Sequence, residues 1–372
     1  MTTAMCGGLM AVYFVPFFIG LLERNRGLPA EQAAFLGSVE IACAAVTAVL
    51  LGRVGLLFGF ATTVLVGGAL GVLTNAISIE LTHFAPLLAA RIFAGIGEGL
   101  LFAAATMAVA RQAEPDRIYG RVYAWCAIFF TATMLVLPYG LERGGVPVYF
   151  LMYVAVGALA VICTPVFRQM HVDLSDSPSD RSRPPWRPTA LLYLTLAALF
   201  IPIGALWGLA DQIAHSHGIS LRATGIALSV SNAGGFIGGE LSRRMGLRSG
   251  FFAPLAVCAV ILIMVGLGQS GIANALGFII VMGALGIIYL FLISHLVSMA
   301  ASVDRTGGLA AGINGASLIF LSAGPAVFEA LLSGHGVAAM LLANSALCLI
   351  ALIPAWLLRS GTASAGALAN VS

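Results

Sequence analysis

Lysine is absent from this chain, so arginine supplies all 18 basic positions. Charged residues of both signs make up 9% of the 372 positions, where a soluble domain carries roughly 25%. No water-facing surface can be built from that supply, and a soluble globular fold is excluded. The net charge is only +3, and no basic run is dense enough to suggest a nucleic-acid partner. The six cysteines (Cys6, Cys43, Cys126, Cys163, Cys258 and Cys348) all lie in apolar stretches and none forms a CxxC. They read as small apolar packing residues. His215 and His217 are too sparse to argue for a metal site and read as solvated. The run GIGEG at 95–99 has G-x-G spacing but follows no strand, so a dinucleotide reading fails. No nucleotide-binding motif, paired acidic motif or histidine-rich loop is present. The chain is therefore expected to hold no cofactor or metal and not to be an enzyme.

What the chain has instead is apolar length. Hydrophobic residues make up 60% and the mean hydropathy is +1.02. A membrane-spanning helix needs about 20 mostly apolar residues. Twelve such segments can be counted, near 4–22, 33–51, 60–79, 86–109, 122–141, 148–167, 189–210, 222–241, 251–268, 273–299, 308–332 and 337–358. The first has no basic start, so it reads as a retained span rather than a signal peptide. One long polar interruption, RQMHVDLSDSPSDRSRPPWRP at 168–188, is rich in Ser, Pro and charge and reads as a loop or linker. The expected fold is an all-α integral membrane protein, with six helices in 1–167, a linker at 168–188, six helices in 189–360 and a tail at 361–372.

Arginine placement sets an expected orientation. If the N-terminus is cytoplasmic, the loops on that side carry Arg53, Arg111, Arg117, Arg121, Arg168, Arg181, Arg183, Arg187, Arg243, Arg244, Arg248, Arg305 and Arg359. The opposite side carries only Arg24, Arg26, Arg143 and Arg222. The positive-inside rule favours this arrangement. Both termini and the linker are then cytoplasmic, and the expected location is a bacterial inner (plasma) membrane.

Six plus six helices around a cytoplasmic linker resemble the major facilitator superfamily. In the fourth segment, Arg91-x-x-x-Gly95-x-Gly97-x-Gly99 looks like that family's RxxxGxG motif, whose arginine is associated with proton-coupled transport. The loop after the second segment reads GRVGLLFGFATT, keeping the family's glycines and one arginine but lacking its acidic residue and trailing basic pair. The equivalent loop after the eighth segment, GGELSRRMGLRSG, carries Glu240, Arg243, Arg244 and Arg248. In the fifth segment, Pro138 and the glycines around it share a little of the helix-5 motif of the family's exporters. The resemblance implies a monomeric twelve-helix secondary transporter, working by rocking of two halves around a central site.

The polar residues inside the spans are then candidate site residues, since ionisable groups at membrane depth are costly and rarely idle. Arg91, Gly95 and Glu98 share one helix face. Counted at 1.5 Å per residue from the outer end, Arg91 is about 8 Å deep, Glu40 about 12 Å and Glu98 about 18 Å. Either Arg91 and Glu40 form a structural bridge, or Glu98, Arg91 and Glu40 form a proton-responsive cluster; the second is the expectation. Tyr13, Trp207, Asn232, Tyr289, His295 and Asn314 are candidate substrate contacts, with packing or interhelical hydrogen bonding as the alternative. Asp211 is either a solvated helix end or part of an outer gate.

The expected function is secondary active transport of a small organic solute, amphiphilic or aromatic, with protons as the coupling ion and export-type antiport favoured. A proton-coupled importer and a non-transporting, carrier-like receptor or assembly factor are the alternatives. If the linker only joins the halves, co-expressing two chains split near Pro178 restores transport; loss of activity with both pieces at normal membrane levels would overturn this.

Overall fold

The computed structural model describes residues 1–54, 59–110, 115–168, 186–245, 252–270, 274–303 and 308–358. Most of the linker (169–185), residues 55–58 of the first motif loop, and the tail (361–372) lie outside the described residues. Every regular element among the described residues is a helix: α1 (Thr2–Arg26), α2 (Ala30–Val54), α3 (Gly59–Ser78), α4 (Phe84–Ala110), α5 (Pro115–Ile162), α6 (Thr164–Arg168), α7 (Trp186–Gly208), α8 (Ala210–Ser216), α9 (Leu221–Met245), α10 (Phe252–Ser270), α11 (Ala275–Val303) and α12 (Gly308–Ile350). In lipid a helix satisfies its own backbone groups, which is why so apolar a chain takes this form.

Among the described residues, eight helical runs are long and apolar enough to cross a membrane. Two of these, Arg121–Ile162 and Gly312–Leu358, hold 42 and 47 residues, enough for two passes each at about 20 residues per pass. α5 breaks at Gly145 (φ 56°, ψ −141°) and α12 at Gly336 (φ 80°, ψ 175°), backbone conformations that a residue with a Cβ rarely adopts. The break in α5 turns the chain back. Phe130 and Tyr149 would stand about 28 Å apart on a straight helix. Both instead reach Phe14 of α1, one by ring contact at 5.7 Å and one by a hydrogen bond to its carbonyl at 3.4 Å. With α9 and the shorter apolar run Phe252–Gly268, the described helices are roughly consistent with the twelve passes expected. The sequence reading was less accurate where it ended helices: Glu240, Arg243 and Arg244, expected in a loop, lie on α9, where Glu240 accepts from both arginines at 2.7 Å.

The chain divides into two compact units: Met1–Ser177 with Gly208–His215, and Pro178–Trp207 with Ser216–Ser372. In the first unit, α1 is the most enclosed helix, packed by α2, α4 and α5. Arg26 at its end donates to the carbonyls of Ser78 and Ile79, both at 2.7 Å, and to that of Leu81, satisfying the open end of α3. In the second unit, α9 lies along α11, and α12 packs on α10 and α11.

Glycine sets how closely helices approach where apolar burial alone gives no drive in lipid. A Cβ on Gly286 of α11 would meet the carbonyl group of Ser231, and one on Gly238 of α9 would meet that of Ile287. Gly239, one residue on, faces open space. Gly286→Ala should therefore destabilise the protein by about 1–3 kcal/mol, whereas Gly239→Ala should be neutral or slightly stabilising because alanine favours the helix. Thermal unfolding in detergent reads both, and equal effects would contradict this account of the α9–α11 contact.

Candidate functional site

The polar side chains of the first unit gather around Arg91. The glycine motif of α4 makes this geometry possible. A Cβ at Gly95 would strike the carbonyl group of Glu40, and one at Gly99 would strike that of Ala44, so α2 lies directly against α4. Gly97 gives α3 the same close approach, at the carbonyl of Gly67. With both neighbours this near, short side chains on α2 and α3 can reach the guanidinium.

Arg91 has no exposed surface. Its Nη1 donates to Glu40 Oε1 at 2.8 Å and its two Nη atoms donate to Asn75 Oδ1 at 3.1 Å; Nη2 donates to Ser78 Oγ at 2.7 Å. Asn75 and Ser78 are held in turn by the carbonyls of Gly71 (2.8 Å) and Thr74 (2.6 Å). The rings of Phe150 and Phe18 lie 5.0 and 5.9 Å from the guanidinium carbon, close enough for cation–π attraction. Only Nε is left without a hydrogen-bond partner among the described residues. A buried charge is tolerated when it is paired and its hydrogen-bonding capacity is used, and this one meets both conditions.

Glu98 lies two helical turns along the same face, about 10 Å from Arg91 along the axis. It is 4% exposed, and neither carboxyl oxygen has a side-chain hydrogen-bond partner among the described residues. Its backbone carbonyl backs onto Gly8 of α1. Nearby, Tyr149 and Tyr153 share a hydrogen bond of 2.8 Å between their hydroxyls, and both are buried. Neither tyrosine stands out in the sequence, although their i, i+4 spacing puts them on one face. Asn75 and Ser78, at i, i+3 in an apolar helix, carried the same kind of signal.

The profile of the Major Facilitator Superfamily matches residues 1–317. The chain belongs to this superfamily. Two of the solved structures that share its fold illustrate the likeness. One is the human organic anion transporter MFSD10 (TETRAN), at 14% identity over 95% of this chain and 97% of that one, with a TM-score of 0.66. The other is the nucleoside transporter NupG (D323A mutant), at 13% identity over 96% and 98% of the two chains, with a TM-score of 0.75. No curated protein matches the sequence. At these identities the likeness is one of fold. The chain is a multi-pass membrane transporter of a small solute rather than an enzyme.

Within this superfamily member, the other candidate residues have distinct settings. Tyr13 is half-buried and stacks on Phe130, with centroids 3.9 Å apart and planes 8° from parallel. In the second unit, His295 is buried and stacks on Phe291 at 5.6 Å, and Tyr289 is half-buried with its ring 5.8 Å from Phe200. Trp207 and Asn232 are half-buried and Asn314 is exposed. Glu329 and Asn344 are among the buried polar residues of this unit that escaped the sequence reading. Glu329 of α12 is 1% exposed, and Asn344 is fully buried with neither amide atom hydrogen-bonded among the described residues.

Asp211 was expected either at a solvated helix end or in an outer gate; it is 3% exposed, which disfavours the first of these settings. α7 stops at Gly208 and the chain starts a new short helix, α8, whose first turn carries Asp211 over Gly20 of α1. There Arg24 Nη2 donates to Asp211 Oδ2 at 2.6 Å, and Gln212 Nε2 donates to Glu23 Oε2 at 3.1 Å. Burial pushes the Asp211 carboxyl above its ordinary value, and the Arg24 guanidinium opposes that shift.

Truncating one member of the Arg91–Glu40 pair strands the other as a buried charge, typically at a cost of 3–5 kcal/mol. Arg91→Ala and Glu40→Ala should each lower the unfolding temperature in detergent strongly. The double variant should lose much less than the sum, because no orphan charge is left. Strict additivity would mean that the 2.8 Å contact carries no coupling.

Proposed function

We propose that this transporter extrudes a small amphiphilic or aromatic organic solute by alternating access, in exchange for protons, across a bacterial inner membrane with both termini cytoplasmic. The observation that carries the coupling is Glu98, a carboxyl group deep in a membrane helix with no side-chain hydrogen-bond partner among the described residues. Carrying charge at such a place is costly unless a partner compensates it, so a change in surroundings during the transport cycle would load or release a proton. Arg91 and Glu40, already neutralised by each other, hold α2, α3 and α4 around it. Tyr149 and Tyr153 provide hydroxyl groups in the same packed region. The orientation rests on the arginine asymmetry, and the solute class on the scarcity of charged groups in the chain. Tyr13, Trp207, Asn232, Tyr289, His295 and Asn314 remain the candidates for solute contact.

A thermal-shift screen of the purified protein against solute libraries at two pH values identifies the solute to reconstitute. Glu98→Gln keeps the shape of the side chain and removes its titration. In proteoliposomes it should abolish pH-gradient-driven transport of that solute while leaving solute binding and exchange largely intact. Native-rate, gradient-driven transport by the variant would show that Glu98 is not the coupling group.

A further inference from the structure

Two of the six cysteines, read from sequence as packing residues, meet in the fold. Cys6 comes from the first turns of α1 and Cys126 from α5, 120 positions apart in the chain. The Cys6 thiol donates to Cys126 Sγ at 3.4 Å, and Cys126 Sγ lies 3.9 Å from the carbonyl oxygen of Thr2. Both side chains are buried, at 5% and 2% exposure. A disulfide bond is about 2.05 Å long, so the two sulfurs need approach by only about 1.4 Å to bond.

Buried thiols are ordinarily inert, but this pair is not sealed. Cys6 lines an open pocket of about 430 Å³ together with Thr2, Trp125 and Phe129. A water molecule takes about 30 Å³ of liquid volume, so a peroxide fits many times over. The pocket gives a small oxidant a route to one sulfur while the second waits behind it, the arrangement of an attacking and a resolving thiol.

We propose that Cys6 and Cys126 form a hydroperoxide-responsive thiol pair whose oxidation ties α1 to α5. The sulfur of Cys6 attacks one peroxide oxygen and the O–O bond breaks. Cys6 becomes a sulfenic acid, and the displaced hydroxide takes the thiol proton and leaves as water. The sulfur of Cys126 then attacks the sulfenic sulfur, the S–O bond breaks, the S–S bond forms, and the second hydroxide leaves as water with the proton of Cys126. Each sulfur gives up one electron and the hydroperoxide takes both. The cross-link fixes the start of α1 against α5. Farther along, the same α1 brings Phe14 to Tyr149 and Phe18 to Arg91, so oxidation would restrain the helix that lines the buried polar cluster.

The test uses the full chain in lipid nanodiscs. Hydrogen peroxide is added, the protein is denatured, free thiols are alkylated, and the digest is mapped by mass spectrometry with and without reductant. The expected result is the loss of two alkylatable thiols out of six, a linked Cys6–Cys126 peptide released by dithiothreitol, and a higher unfolding temperature that dithiothreitol reverses. Cys6→Ser and Cys126→Ser should each lose the linked peptide, with Cys6 carried to sulfenic or sulfinic acid in Cys126→Ser and Cys126 left alkylatable in Cys6→Ser. The wild-type map needs no variant to fold. Cys6 and Cys126 both still alkylatable after peroxide, a bridge from either one to Cys43 or Cys163, or over-oxidation of Cys6 with no bridge would each overturn the proposal.

Discussion

A guanidinium enclosed in an apolar bundle has to find its counter-charge and its acceptors within hydrogen-bond reach, and the first unit is arranged around that requirement. Arg91 takes Glu40 from α2 and both Asn75 and Ser78 from α3. Those side chains are short, so the helices that carry them must come close. Gly95 and Gly99 on the face toward α2, and Gly97 on the face toward α3, remove the Cβ atoms that would prevent it. The arginine and the glycines of RxxxGxG are thus one device: the glycines set the spacing, and the arginine needs it.

Close approach through glycine recurs in the second unit. Gly238 and Gly286 bring α9 and α11 into backbone contact, and Gly204 and Gly324 do the same for α7 and α12. In lipid, where tails and side chains are equally apolar, close van der Waals packing and interhelical hydrogen bonds supply what the hydrophobic effect supplies in water. Contacts built on small residues leave few interlocking side chains, which suits helices that must shift during transport. The breaks at Gly145 and Gly336 have another role, turning two very long apolar runs into two passes each.

The two buried acids near Arg91, Glu40 on α2 and Glu98 on α4, are treated differently by the fold. Glu40 spends its charge on the guanidinium and has a structural setting. Glu98, two turns away, has no side-chain hydrogen-bond partner among the described residues, and it is this contrast rather than depth alone that supports giving it the coupling role. A carboxyl already satisfied by an arginine changes its proton occupancy reluctantly; an open one follows its surroundings. Asp211 resembles Glu40 in this respect, buried and matched to Arg24.

Apolar length, the twelve passes, the position of the glycine-arginine motif and the presence of charge at membrane depth were all legible in the sequence. Each is local: a spanning helix satisfies its own backbone hydrogen bonds, so about 20 apolar residues declare themselves without reference to the rest of the chain. The near-equal depths of Arg91 and Glu40 could even be counted off at 1.5 Å per residue. Who touches whom was another matter. That Asn75 and Ser78 complete the arginine's hydrogen bonds, that Asp211 turns inward to Arg24 rather than out to water, and that Cys6 and Cys126 meet across 120 positions depend on which helices are neighbours and how each is rotated about its axis. A rotation of one residue, 100°, moves a side chain from lipid to a partner without changing the hydropathy of the segment, and only the tertiary structure decides that angle.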